Sequence, residues 1–168
     1  MKNVNKVILN SIALIMLIFC GTIIWFYLEM WVPHRTIYNS RHFDLEQDYR
    51  ARKKVRDASH KVLFLWIGNY HDALMTIFDV GDKDSIPYLI RALKRFNLKA
   101  QSQKAKPMDN FYIDYGHCVK CCRGTLKKFT GLDFGTDHTK WQDWWEQTGC
   151  HLTFDENKGQ LVSQEETK

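Results

Sequence analysis

The stretch Phe129-Thr130-Gly131-Leu132-Asp133-Phe134-Gly135-Thr136-Asp137, followed by Trp141, Trp144 and Trp145, decides how this chain is read. One helix ends at Thr130-Gly131. A short loop bounded by Gly131 and Gly135 follows, and a second helix starts at Thr136 or Asp137. Glycine at both ends gives the loop backbone angles that other residues resist. Trp141 and Trp145 are an i, i+4 pair, placed to cover an open end of a helical stack, while Trp144 falls on a more exposed phase. Two helices joined in this way form an αα-hairpin. Stacks of such hairpins bind partners more often than they catalyse.

Upstream, the same grammar recurs. Ala73, Leu74, Ile77 and Phe78 form an apolar stripe and Gly81 stops the helix. Asp82-Lys83-Asp84-Ser85 is a turn, with Ser85 as a cap and Pro87 in the first turn of the next helix. Ile86, Leu89, Ile90, Leu93 and Phe96 then recur at helical spacing, giving a second hairpin. The third hairpin runs over about 115–130 and 136–148. Between them, residues 97–110 (NLKAQSQKAKPMDN) read as a long polar loop suited to binding. Residues 61–68 (KVLFLWIG) are a compact apolar run, read as a core helix. A charged helix, capped by Ser40 or Asp44, precedes it and ends near Ser59.

Composition supports helices. Gly (9) and Pro (3) are scarce in 168 residues, which disfavours a many-turned β-sandwich. The formal net charge is +5. Setting aside Lys2 and Lys6 leaves 22 basic against 19 acidic residues, or +3, with no basic stripe, so nucleic-acid binding is not expected.

Residues 7–28 (VILNSIALIMLIFCGTIIWFYL) are almost wholly apolar. At about 1.5 Å per residue they span a hydrocarbon core of roughly 30 Å. Trp25, Tyr27 and Trp31 sit where an aromatic belt belongs. A cleaved signal peptide is the rival reading, but its apolar core is shorter, and here the run continues past Cys20-Gly21-Thr22. Lys2 and Lys6 before the run are matched by Arg35 and Arg41 after it, and the α-amine tips the balance towards an N-terminus inside and an exported C-terminal domain. The cluster Arg50, Arg52, Lys53, Lys54 and Arg56 argues the other way. The expected setting is a single-pass protein of a bacterial inner membrane.

Gly81-Asp82-Lys83-Asp84-Ser85-Ile86-Pro87-Tyr88-Leu89-Ile90-Arg91-Ala92-Leu93 resembles the HEAT-repeat (PBS-lyase-type) pattern linking one helix to the next. The C-terminal run with Phe134, Gly135, Asp137, Trp141, Trp144 and Trp145 looks like the closing element of some bacterial HEAT-repeat proteins. The resemblance covers about residues 61–149 and implies an all-α fold: a short HEAT-like stack of two to three αα-hairpins behind one transmembrane helix. It departs from the family in repeat number, since solenoids generally use three or more units. The chain divides into an anchor at 1–30, a juxtamembrane connector and charged helix at 31–60, with Pro33 stopping the helix, a HEAT-like domain at 61–150 and a disordered polar tail at 151–168.

The function this implies is a membrane-anchored, non-catalytic interaction module with a protein partner and no cofactor or metal. Tyr88, Arg91 and Trp144 are the candidate contact residues, and self-association is a way to complete so short a stack. The competing reading is a small metal- or redox-active membrane protein using Cys118, Cys121, Cys122, Cys150 and His151. His117-Cys118-Val119-Lys120-Cys121-Cys122 is the sharpest chemical cluster, yet covalent haem needs His where Cys122 stands, and thioredoxin-type chemistry needs a βαβ context. Buried cysteines on an inner helix face are the plainer account. No Ser/His/Asp order, phosphate loop or paired carboxylates stand out. In an antiparallel third hairpin Cys118 and Cys150, each sixteen residues from Phe134, would face each other and could bridge in an oxidising compartment.

Overall fold

A computed structural model of the chain describes residues 2–39, 49–66, 69–105 and 114–163. These are almost wholly helical, with one small two-stranded sheet among them, so the fold is all-α behind an apolar N-terminal helix. That helix, α1 (Lys2–Phe26), belongs to a helical run over Asn10–Asn39 whose apolar window has a mean hydropathy of 2.3 and no burial against the rest of the chain. It is long and apolar enough to cross a membrane, as a signal sequence near an N-terminus also can be.

The helix does not stop at Pro33. A π-helical turn at Tyr27–Trp31 leads into α2 (Val32–Asn39), with the Val32 N–H bonded to the Tyr27 carbonyl five residues back. A proline ring collides with the carbonyl four residues before it in a regular α-helix. Widening to a π-turn just ahead of Pro33 relieves that collision without breaking the helix. Helix α2 then buries Pro33 and Ile37 and packs on α3 (Tyr49–Leu65). The segment read as a connector is thus a packed part of the domain.

Helix α3 is continuous through the boundary between the charged stretch and residues 61–68. Val55, Ala58, Ser59, Val62 and Leu63 lie on one buried side of it, so one amphipathic helix replaces the two expected. Residues 40–48, including the expected caps Ser40 and Asp44, lie outside the described residues. Helix α4 (Tyr70–Val80) is capped by Asn69, whose side chain accepts from the Asp72 N–H. Helix α5 (Ser85–Ala105) runs on past Asn97, the expected start of the loop, so most of that stretch is helix; residues 106–113 lie outside the described residues. Helix α6 (Tyr115–Thr130) and helix α7 (His138–Gln147) match their expected spans, capped by Asp114 and Asp137. Gly131 (φ 73°) ends α6 in the left-handed region, as its position in the sequence implies. The segment read as a disordered tail carries structure: β1 (Thr153–Asp155) pairs antiparallel with β2 (Gln160–Val162), and the Phe154 ring meets Phe129 edge-on at 5.6 Å.

The pairing of helices differs from the sequence reading. Helix α3 packs along α4, and α5 along α6; α3 also contacts α5, and α4 contacts α6. The hairpins are therefore α3–α4 and α5–α6, side by side in two layers. The Gly81–Asp84 turn joins one hairpin to the next instead of forming one. Gly81 is needed there, because a Cβ at this position would lie 2.7 Å from the Phe129 ring. The core of Leu63, Leu74, Ile77, Ile86, Leu89, Leu93, Phe96, Leu126 and Phe129 fills the space between layers. Phe78 lies outside it, exposed beneath the Lys128 ammonium 4.0 Å above its ring.

Helix α7 packs on α5, with fully buried Trp141 as its anchor. It starts beside Asn97, which donates to the Thr136 carbonyl at 2.7 Å, and ends beside Lys83, which donates to the Cys150 carbonyl at 2.8 Å. Helix α6 likewise starts beside Phe96 and ends against Gly81. Both run antiparallel to α5 and so in the same direction as each other. The loop at 131–137 makes this possible by turning back along α6, where Asp133 is held by Arg123 at 2.9 and 2.7 Å.

Candidate functional site

Two faces of the stack carry concentrated chemistry. On the α3–α5 side a groove of about 570 Å³ runs between α3, α5 and α7. Helix α3 contributes Lys53, Arg56, Asp57, His60 and Phe64; the α5 side contributes Asp84, Pro87, Tyr88 and Arg91; α7 contributes Trp145. A second hollow shares Asp57, His60, Phe64 and Tyr88 and reaches Glu29 at the end of the apolar helical run. There Lys61 holds Glu29 at 3.0 Å.

The groove floor is fixed by internal bonds. The Arg56 guanidinium pairs with Asp82 at 2.8 Å across the α4–α5 turn. His60 Nε2 and Ser85 Oγ lie 2.8 Å apart, and the His60 ring stacks on Tyr88 at 4.3 Å and 9°. Burial, reinforced by the Arg56 charge, pushes the His60 imidazole down to about 4. Burial also raises the Asp82 carboxyl, outweighing the pull of Arg56. The groove is therefore an aromatic and neutral-histidine floor with Arg91 over the Phe64 ring at its rim, 4.4 Å to the centroid. Of the contact residues expected from sequence, Tyr88 and Arg91 come together here. Trp144 does not line the groove; it packs against Phe134 and Trp141 and closes over Gly149, and Trp145 takes the groove position.

On the α4–α6 side, His71 in the first turn of α4 meets His117 and Cys121, which are i, i+4 on α6. The Nε2 atoms of His71 and His117 are 3.2 Å apart, and Cys121 Sγ is 3.4 Å from His117 Nε2. Both histidines are exposed and Cys121 is half-buried. Among the described residues this is the group of His, Cys, Asp or Glu side chains with the spacing to hold a metal ion.

The cysteine set read from sequence does not assemble. Cys118 and Cys122 are buried in the core, and all five cysteines are free thiols. Burial pushes the Cys118 thiol up to about 11, Cys122 well above its ordinary value and Cys121 upward as well; what sets Cys118 and Cys122 apart is that both are packed in the core, away from an ion at the surface. Cys150 and His151 lie beyond α7, beside Lys83. The Cys118–Cys150 bridge is ruled out by the direction of α7. Cys118 sits in the first turn of α6 near Phe96, and Cys150 at the other end of α5. At 1.5 Å per residue those ends are about 20 Å apart, far beyond disulfide reach.

His71 is the residue that sequence reading passed over. It lies 46 positions before His117, and only the side-by-side packing of α4 and α6 brings the two together. Comparison with protein-family models, curated proteins and solved structures gives no match to the chain.

Proposed function

We propose that the chain is a membrane-anchored, HEAT-like protein-interaction module without catalytic activity. Its partner is a protein segment that seats an apolar or aromatic side chain on Tyr88 and Phe64 and sets a carboxylate against Arg91. The groove between α3, α5 and α7 carries this reading: an aromatic floor with Arg91 at a rim that also holds the Lys53–Asp57 pair and Asp84, on two stacked helix hairpins. Aromatic and arginine side chains are the residue types that dominate binding energy at interfaces. The groove's continuation to Glu29 supports docking close to a membrane surface. The α-amine, added to Lys2 and Lys6 against Arg35 and Arg41 beyond the apolar run, supports an inside N-terminus and export of the helical domain across a bacterial inner membrane.

Photo-crosslinking in native membranes tests the reading. A photoreactive residue at position 88 should yield a discrete protein adduct that Arg91→Ala weakens, while the same probe at Lys120, on the other layer, should not. Equal adducts from both positions, or none from position 88, would overturn it.

A further inference from the structure

We infer that His71, His117 and Cys121 form a surface site for a single d-block cation of the zinc class, with its fourth position open to water. Three observations carry this. First, the donor set is two imidazoles and a thiol, with no oxygen ligand; this suits zinc and its neighbours and not magnesium or calcium. Second, two of the three ligand edges match a tetrahedral site, and the third is short enough for a side-chain rotation to close. Zinc holds imidazole nitrogen at about 2.0–2.1 Å and thiolate sulfur at about 2.3 Å in a tetrahedron, which sets N···N edges of about 3.3 Å and S···N edges of about 3.6 Å. The structure has 3.2 Å between the two Nε2 atoms and 3.4 Å between Sγ and the His117 Nε2, with all three ligand atoms within 4.8 Å of one another. Third, the Asp72 carboxylate lies 3.8 Å from the His71 Nδ1, on the side of the ring turned away from the cluster. At that distance it makes no hydrogen bond to the ring, and its other oxygen accepts from Asn69, but its negative charge stands on the side where the carboxylate partner of a metal-bound imidazole sits.

The site's place in the fold gives it a consequence. His71 belongs to the first hairpin and His117 and Cys121 to the second, so a bound ion clasps α4 to α6. Three protein ligands leave one position for water or for a donor supplied from outside the chain. This site is on the opposite layer from the Tyr88 groove and uses none of its residues, so either can fail without the other.

The test is cobalt titration of the full-length, reduced protein in detergent micelles, with cobalt as the spectroscopic stand-in for zinc. The expected result is one equivalent of cobalt bound, with a thiolate-to-cobalt charge-transfer band and the d–d intensity of a tetrahedral site, all removed by added zinc. His71→Ala should weaken binding by more than about 100-fold, beyond what loss of a merely supporting group costs. Cys121→Ser should abolish the charge-transfer band. Cys150→Ser and His151→Ala should leave the spectrum unchanged. The two histidines are exposed and Cys121 is half-buried, and circular dichroism of each variant checks that the helices persist. As an independent measurement, zinc should slow alkylation of Cys121. A spectrum without the band, a band that survives His71→Ala, a band lost in Cys150→Ser, or alkylation of Cys121 indifferent to zinc would each overturn the proposal.

Discussion

The two layers of the stack treat their histidines in opposite ways. On the α3–α5 side, Arg56, Ser59, His60 and Ser85 are buried, and each is bonded to a fixed partner within the fold. Among the described residues no buried side-chain nitrogen or oxygen lacks a partner. On the α4–α6 side, Thr76 and Thr125 are buried too, but His71 and His117 are exposed and, with the half-buried Cys121, meet one another. Folding explains the first set, because a buried polar group without a partner is costly. It does not explain the second, because exposed side chains need no partner in the protein. Polar groups that the fold consumes are poor candidates for binding, and polar groups that it leaves assembled at the surface are good ones.

The sharpest way to break this contrast is at Arg56. Removing one member of a buried ion pair leaves the other charge stranded, so Arg56→Ala should cost about 3–4 kcal/mol in denaturant unfolding. Burial already dominates at Asp82. The double variant Arg56→Met with Asp82→Asn should therefore cost less than the two single changes summed. A loss below about 1 kcal/mol for Arg56→Ala would mean that this layer is no more committed to folding than the other.

Acid should discriminate the layers next. His60 titrates at about 4 in the folded chain against 6.5 for the free group. Between those values the unfolded chain binds a proton that the folded chain refuses, so stability falls as pH drops from 6.5 towards 4. The loss approaches about 3 kcal/mol, full stability being present above 6.5. Arg56 from the same helix adds to the depression, while Asp57 and Asp84 oppose it. His60→Gln should flatten the unfolding profile over this window; an unchanged slope would place the acid sensitivity elsewhere.

The smallest effect belongs to the other face. With metal chelated, His71→Ala and His117→Ala should each change stability by no more than about 0.5 kcal/mol, as expected of surface positions without a structural role. A loss above about 1.5 kcal/mol would show that this cluster is also consumed by the fold. The contrast between the layers would then disappear.

Much of the architecture was legible because it rests on local signals. The Gly131 stop, the Asp137 cap and the Trp141 anchor lie within a few residues of one another, and the stripes of Leu74 and Ile77 or Leu89 and Leu93 repeat at the helical period. The apolar run at 7–28 declares itself by length alone. Local signals also misled. Pro33 reads as a stop, but a π-turn absorbs it. The polar composition of 97–105 reads as loop, but α5 continues through it. The β1–β2 pair is too short to show a period.

What the sequence by itself determined was therefore the class of elements: an apolar helix long enough to span a membrane, followed by amphipathic helices with their caps. What only the tertiary structure decided was which helices lie together. Pairing depends on how apolar stripes far apart in the chain meet, and adjacency in sequence does not set it. That is why α7 runs along α5 and keeps Cys150 away from Cys118, and why His71 reaches His117 and Cys121.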